Sequence, residues 1–292
     1  MSPNTALAID TAPVAAPKPA DQPTHANFTG SIPATYDRDL GPLLFKFSAA
    51  DLANRVAAAR PDAERVLEVA CGTGISTEYL WRALAPRAEI TATDLNEAML
   101  EYAREHRGRL ANVTYTQADA QDLPFDDDSF DVVVCQFGIM FFPEKARAFS
   151  EFARVLKPGG LLAFNVWDSL DHNTVAKIAQ QTIASFFETD APDFLTVPFG
   201  FHAEQPIRDL IDGADLALSD SHLVSATVER PDARSVARGF VEGNPGILQI
   251  HERATAEPDD IVDAAATAIE AAFGPSPLSI PLQEKVFLAT KA

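Results

Sequence analysis

VLEVACGTGISTEYL, residues 66–80, decides the fold. Val66–Ala70 is an apolar run that reads as a strand, with an acid, Glu68, near its end. Cys71-Gly72-Thr73-Gly74 follows at once, and Ser76–Leu84 then reads as a helix with Leu80 and Leu84 on one face. A loop of this kind is either a tight turn or a place where a small molecule lies across the backbone. Glycine has no Cβ to hold a ligand away, and the start of the next helix offers unpaired N–H groups.

The pattern repeats on the C-terminal side. Glu89–Thr93 reads as a second strand, and Asn96 is placed to cap a helix over EAMLEYAREHR. Val113–Gln117 is a third strand. Phe130–Cys135 is a fourth, nearly all apolar, as a strand covered on both faces should be. Phe149, Phe152, Ala153 and Leu156 recur at helical spacing until Lys157-Pro158-Gly159-Gly160 stops them, and Leu161–Val166 is a fifth strand. Strands alternating with helices predict an α/β fold, a Rossmann-like, doubly wound, mostly parallel sheet with helices on both faces. Such sheets bind ligands beyond the carboxyl ends of their strands, beside strand one, where the glycine loop falls.

Beyond Trp167 the alternation changes. Val175, Ile178, Ala179, Ile183 and Phe186 outline a helix, and the Phe-rich stretch APDFLTVPFGFH follows. Residues 205–213 read as a short helix and LALSDSHLVSATVE as one strand or two. Ile261, Ala265, Ile269, Ala272 and Phe273 share a helical face, and 285–290 read as a last strand. The expected organisation is a disordered tail over 1–27, an N-terminal helical segment over 28–60 that covers the site, and a ligand-binding core over 61–168. An inserted helical cap occupies 169–205, and 206–292 complete the sheet and add helices.

Composition narrows the function. Forty-two acidic residues against 23 basic ones give a formal charge of −19, which disfavours a phosphate backbone as partner. The densest basic stretch, Arg104, Arg107 and Arg109, reads as a solvated helix end. No run of 18 apolar residues suggests a membrane span, and no leader is evident. The two cysteines, Cys71 and Cys135, form no metal-type spacing, so a reducing cytoplasm and no metal are expected.

Three strand ends carry acids. Asp94 follows strand two, placed to accept hydrogen bonds from ribose hydroxyls or to cap the next helix. Asp119, after strand three, suits an adenine amino group, with the Ala120 N–H beside it. A G-x-G-x-x-G fingerprint counted from Gly72 would put its third glycine at Thr77, and Glu68 would repel a diphosphate. The loop therefore favours a nucleoside with an ammonium-bearing tail. A nicotinamide-dependent oxidoreductase is one alternative, and a non-catalytic binder of the same ligand is another.

EVACGTG, TATDLNEAML and ADAQDLPFDDDSFDVVVCQFGIMFFPEKARAFSEFARVLKPGGLLAFNVWD, taken in order over residues 61–168, resemble class I S-adenosylmethionine-dependent methyltransferases, in particular the small-molecule, quinone-biosynthesis type. The resemblance implies S-adenosyl-L-methionine as cofactor, S-adenosyl-L-homocysteine as product and in-line transfer of a methyl group to a small acceptor. By position it implies that Glu68 and Cys71–Gly74, including Gly72, hold the methionine part, that Asp94 holds the ribose, and that Leu95 packs near the adenine with Met99 counted beside it. It further implies that Asp119 and Ala120 meet the adenine edge, that Gln136 lies at the methionyl end, and that Tyr36 closes over the cofactor. Ala70 stands where many relatives have glycine. No catalytic base is evident; His172, His202, His222 and His251 are the candidates. The cap phenylalanines Phe186, Phe187, Phe194, Phe199 and Phe201, with Phe141-Phe142-Pro143, suggest an apolar, ring-bearing acceptor or simply the cap's own core.

Overall fold

The computed structural model describes residues 26–292. The tail expected to be disordered therefore lies outside the described residues, except for Ala26 and Asn27. Seven strands form one sheet: β1 Arg65–Val69, β2 Glu89–Asp94, β3 Val113–Gln117, β4 Phe130–Gln136, β5 Leu156–Trp167, β6 Leu216–Arg230 and β7 Leu278–Lys291. Their order is β3-β2-β1-β4-β5-β7-β6. The first five run parallel, and β7 lies antiparallel between β5 and β6. β1 pairs with β2 on one side and β4 on the other, so the order reverses beside the glycine loop.

Alternation along the central strands sorts the core into two layers. Val66, Val132, Val134, Leu161 and Ala163 face the helices Lys46–Ala59 and Ile75–Ala83, meeting Leu52, Val56 and Leu80. Leu67, Val133, Leu162 and Phe164 face the other way, toward Phe149 and Phe152 of the helix Lys145–Val155. Both phenylalanines are fully buried, each contributing about 1.5–3 kcal/mol.

Several elements differ from expectation for visible reasons. Asn96 does precede the helix Glu97–Arg107, but its side chain does not cap it. It donates to Asp94 and accepts the Phe28 N–H at 3.2 Å instead, tying the N-terminal segment to the site. Strand β5 begins at Leu156, and Lys157–Gly160 is absorbed as a register jump between the pairs Phe130–Leu156 and Val132–Leu161. Segment 216–230 is one long edge strand, irregular only between Leu218 and Asp220. Two helices between β6 and β7, Ala233–Glu242 and Gly246–Arg253, have no counterpart in the sequence reading. Together with the helix Pro258–Phe273 they pack beside the helix Thr174–Ser185, so the covering layer is built from two insertions, not from 169–205 alone.

The N-terminal segment is helical, as expected: Ile32–Thr35, then a wide π-type run Tyr36–Phe45, then Lys46–Ala59. Pro42 has no N–H to give, which removes a rung from a regular α-helical ladder there.

Candidate active site

A cavity opens where β1, β2 and β4 end. It encloses about 1120 Å³ of non-atom space, the open mouth included. Ala70 and Gly72 bring the loop to its wall, and Asp94, Leu95, Asn96 and Met99 come from the end of β2 and the next helix. Asp119 and Ala120 follow β3; Gln136, Phe137 and Gly138 follow β4; Tyr36 and Phe28 close it from the N-terminal segment. Among the described residues, no Lys, Arg or His lines this cavity.

Asp94 is the hinge of the site. Its Oδ2 accepts the Gly72 N–H at 2.9 Å and its Oδ1 accepts the Asn96 N–H at 2.8 Å. Burial pushes its carboxyl up, and these backbone donors work against that shift. Gly72 takes φ +56°, and a Cβ there would meet only Met99 and Tyr36, at 3.9 Å each, so the loop backbone lies bare to the cavity. Ala70 adopts φ +56° with a Cβ, an uncommon state for a non-glycine residue. Asp119 Oδ1 accepts from both the backbone and the side chain of Gln121. Gln136 donates to the Phe45 carbonyl at 3.2 Å, leaving its buried Oε1 without a hydrogen-bond partner.

Nine of the twelve residues singled out from the sequence therefore share one cavity wall: Tyr36, Ala70, Gly72, Asp94, Leu95, Met99, Asp119, Ala120 and Gln136. Three do not. Glu68 is fully buried beneath the loop, where its Oε1 accepts the Ser76 hydroxyl, and burial raises its pKa to about 7. Cys71 points into a small apolar cluster with Ala92 and Leu100. Gly74 faces Arg107 and Tyr115.

Residues 67–164 match the family model of the methyltransferase domain. The chain is similar to a ubiquinone/menaquinone biosynthesis C-methyltransferase of Idiomarina loihiensis, 35% identical over 166 residues, or 51% of this chain and 65% of that protein. It is also similar to a demethylmenaquinone methyltransferase of Staphylococcus aureus, 43% identical over 98 residues, or 34% of this chain and 41% of that one. The chain thus spans less than two thirds of the length of these relatives. Among solved structures, the YcgJ protein of Bacillus subtilis aligns over 84% of this chain and 98% of its own, with TM-score 0.55 and 19% identity. The [4+2]-cyclase SpnF aligns over 85% and 82%, with TM-score 0.53 and 20% identity. At those identities the likeness is one of fold, and it joins proteins of different chemistry.

A second, apolar chamber adjoins the first. Phe28, Tyr36, Phe137 and Phe141 line both. Trp167, Phe194, Leu195, Phe199 and Phe240 wall much of the remainder, and among the described residues only Tyr36, Asn244 and the indole of Trp167 bring polar side-chain atoms to it. Of the cap phenylalanines, Phe194 and Phe199 face this chamber. Phe187 belongs to the core, and Phe186 and Phe201 pack against it partly buried. Phe240 comes from a helix the sequence reading missed.

The N-terminal segment is fastened to the glycine loop and the helix Glu97–Arg107 by charge. Arg107 donates to the Thr73 carbonyl at 2.8 Å and pairs with Asp37 at 2.9 Å, while the Thr73 hydroxyl donates to the same carboxylate at 2.8 Å. Arg107 is therefore a partly buried clamp, not the solvated helix end expected for it; its side chain is 10% exposed. None of the four candidate histidines lines either cavity. His172 and His202 lie against Asp168, His222 pairs with Asp220 at 2.6 Å, and His251 sits exposed at a helix end.

Proposed function

We propose that this chain binds S-adenosyl-L-methionine in the first cavity and transfers its methyl group to a small, apolar, ring-bearing acceptor held in the second. The observation that carries the reading is the pairing of the two spaces. One is lined by two carboxylates and no cation; the other is almost free of polar groups; four aromatic side chains are common to both. A wall with carboxylates and no base suits a ligand that carries positive charge and no phosphate. The unpaired Gln136 Oε1 is an acceptor in want of a donor, and the bare backbone at Gly72 leaves room for a ligand to touch it.

When bound, the cofactor supplies a methyl group already activated on a sulfonium. Asp94 would hold the ribose hydroxyls, Leu95 and Met99 would flank the base, and Asp119 with the Ala120 N–H would meet its edge. Gln136 would take a donor from the methionyl end, and Tyr36, stacked on Phe45 at 4.5 Å, would cover the site. The protein's contribution is to align the acceptor and exclude water. Tyr36 is the one titratable group in the chamber, and burial first and Asp94 second push its phenol far above the ordinary range. It serves as a cover and not as a base. The acceptor then brings its own nucleophilic atom, as a phenolate or electron-rich ring carbon does. The names of the similar proteins, which act in quinone biosynthesis, accord with such a ring.

The acidic balance argues against nucleic acid as a partner. No helix among the described residues is long and apolar enough to cross a membrane, and both cysteines are free and buried, in keeping with a reducing cytoplasm.

Calorimetric titration with S-adenosylhomocysteine, beside NADH, tests the cofactor. Binding of the first alone is expected; binding of NADH alone would overturn the reading. A panel of phenols and naphthols should then show turnover whose pH dependence follows the acceptor's own pKa. Tight cofactor binding with no turnover on any ring acceptor would favour a non-catalytic binder.

A further inference from the structure

Phe137 stands at the junction of the two cavities with φ +53°, a costly state for a bulky side chain. Its ring stacks on Trp167, with centroids 4.0 Å apart and planes 6° from parallel. Something must hold that backbone. The Phe137 N–H is shared between Asn165 Oδ1 at 3.1 Å and the Asn165 backbone carbonyl at 3.3 Å. Asn165 Nδ2 donates in turn to Glu284 Oε2 at 2.7 Å. Asn165 and Glu284 are both fully buried, and Glu284 lies directly across from Trp167 in the β5–β7 ladder. Glu284 lines neither cavity.

We infer that Glu284 is a positioning residue, which orients the Asn165 amide so that Asn165 pins the strained Phe137 backbone and sets the Phe137–Trp167 pair as the wall between cofactor and acceptor. An amide offers one acceptor and one donor end, and unheld it can turn over. With Nδ2 committed to Glu284, Oδ1 must face Phe137. Burial raises the Glu284 pKa to about 8, against the opposing effects of Ser48, Asn165 and Arg55, so near neutrality the group is mostly a neutral acid. Glutamine can keep the same acceptor toward Asn165, whereas leucine cannot. The consequence for the acceptor rests on the methyl-transfer reading; the placement of Trp167 does not.

The test uses the full chain with Trp81→Phe, which leaves Trp167 as the single tryptophan of two. Acrylamide quenching of Trp167, far-ultraviolet circular dichroism and S-adenosylhomocysteine affinity are measured for Glu284→Gln, Glu284→Leu and Asn165→Leu. Glu284→Gln is expected to match its parent in all three. The two leucine variants should keep their fold and cofactor affinity while quenching of Trp167 rises by about tenfold, the effect of losing one buried hydrogen bond on the open population. A folded Glu284→Leu protein with unchanged quenching would overturn the inference, as would Glu284→Gln behaving like leucine. Should Glu284→Leu fail to fold, Asn165→Leu decides in the same way. Absence of S-adenosylhomocysteine binding in the parent would count against the proposed function alone and leave the Trp167 comparison intact.

Discussion

Replacing Glu68 by glutamine should make the protein more stable at alkaline pH and barely change cofactor affinity. Glu68 is wholly buried, one oxygen receives the Ser76 hydroxyl, and desolvation raises its pKa from 4.5 to about 7. An acid whose folded pKa is raised binds protons more tightly folded than unfolded. Stability therefore falls as pH climbs from about 4.5 to about 7, and stays lower above that. A gap of about 2.5 units corresponds to about 3 kcal/mol. Glutamine is neutral at every pH and can still face Ser76. Urea unfolding should show the two proteins nearly equal at pH 4.5 and diverging to about 3 kcal/mol by pH 8, or roughly 5–10 °C in melting temperature. S-adenosylhomocysteine affinity should change by less than about threefold, because Glu68 does not line the cavity. Parallel stability curves from pH 5 to 8 would refute the burial argument. A loss of affinity of tenfold or more would instead restore the role expected from the sequence, a carboxylate against the ligand's ammonium.

Gly138→Ala should destabilise by about 1–3 kcal/mol, because its Cβ would come within 2.6 Å of the Ala70 Cβ and 2.7 Å of the Cys135 sulfur. Ala70→Gly in the same chain should recover part of that loss, and a double-mutant cycle by thermal unfolding would find no coupling if the two do not collide. Arg107→Met should speed hydrogen exchange across 31–45 and weaken S-adenosylhomocysteine binding, since it cuts the ties to Thr73 and Asp37; unchanged exchange would show that the clamp holds nothing. Asp94→Asn should cost about tenfold or more in cofactor affinity, because an amide presents a donor to either the Gly72 or the Asn96 N–H. Calorimetry that found equal affinity would remove Asp94 from the site.

The central sheet could be read from the sequence because the apolar runs of β1 and β4, the β-branched stretches of β2 and β3, and the 161–166 part of β5 alternate with helical patterns. Sites at strand ends came with it, since position along a strand fixes which side chains converge. What could not be read depends on depth and on partners far along the chain. Glu68 looked like a ligand contact because spacing places it near the loop without saying that it lies under it. Arg107 looked solvated because its partners, Asp37 and Thr73, are 70 and 34 positions away. The start of β7 was missed because Pro281 and Glu284 interrupt the apolar pattern, yet both lie in the ladder. Segment 233–253 carries Gly239, Gly243, Pro245 and Gly246, which blur helical periodicity. Phe240, and with it one wall of the apolar chamber, was hidden there.

The four side chains shared by the two cavities have a kinetic consequence. Phe28 meets Tyr36, Phe141 and Phe194 edge-on, at 6.0, 6.2 and 6.3 Å, so the strip that bears Phe28 closes both spaces together. Lifting it uncovers both. Ligands behind one such strip would share a way out, so that whatever slows departure from one cavity would slow departure from the other.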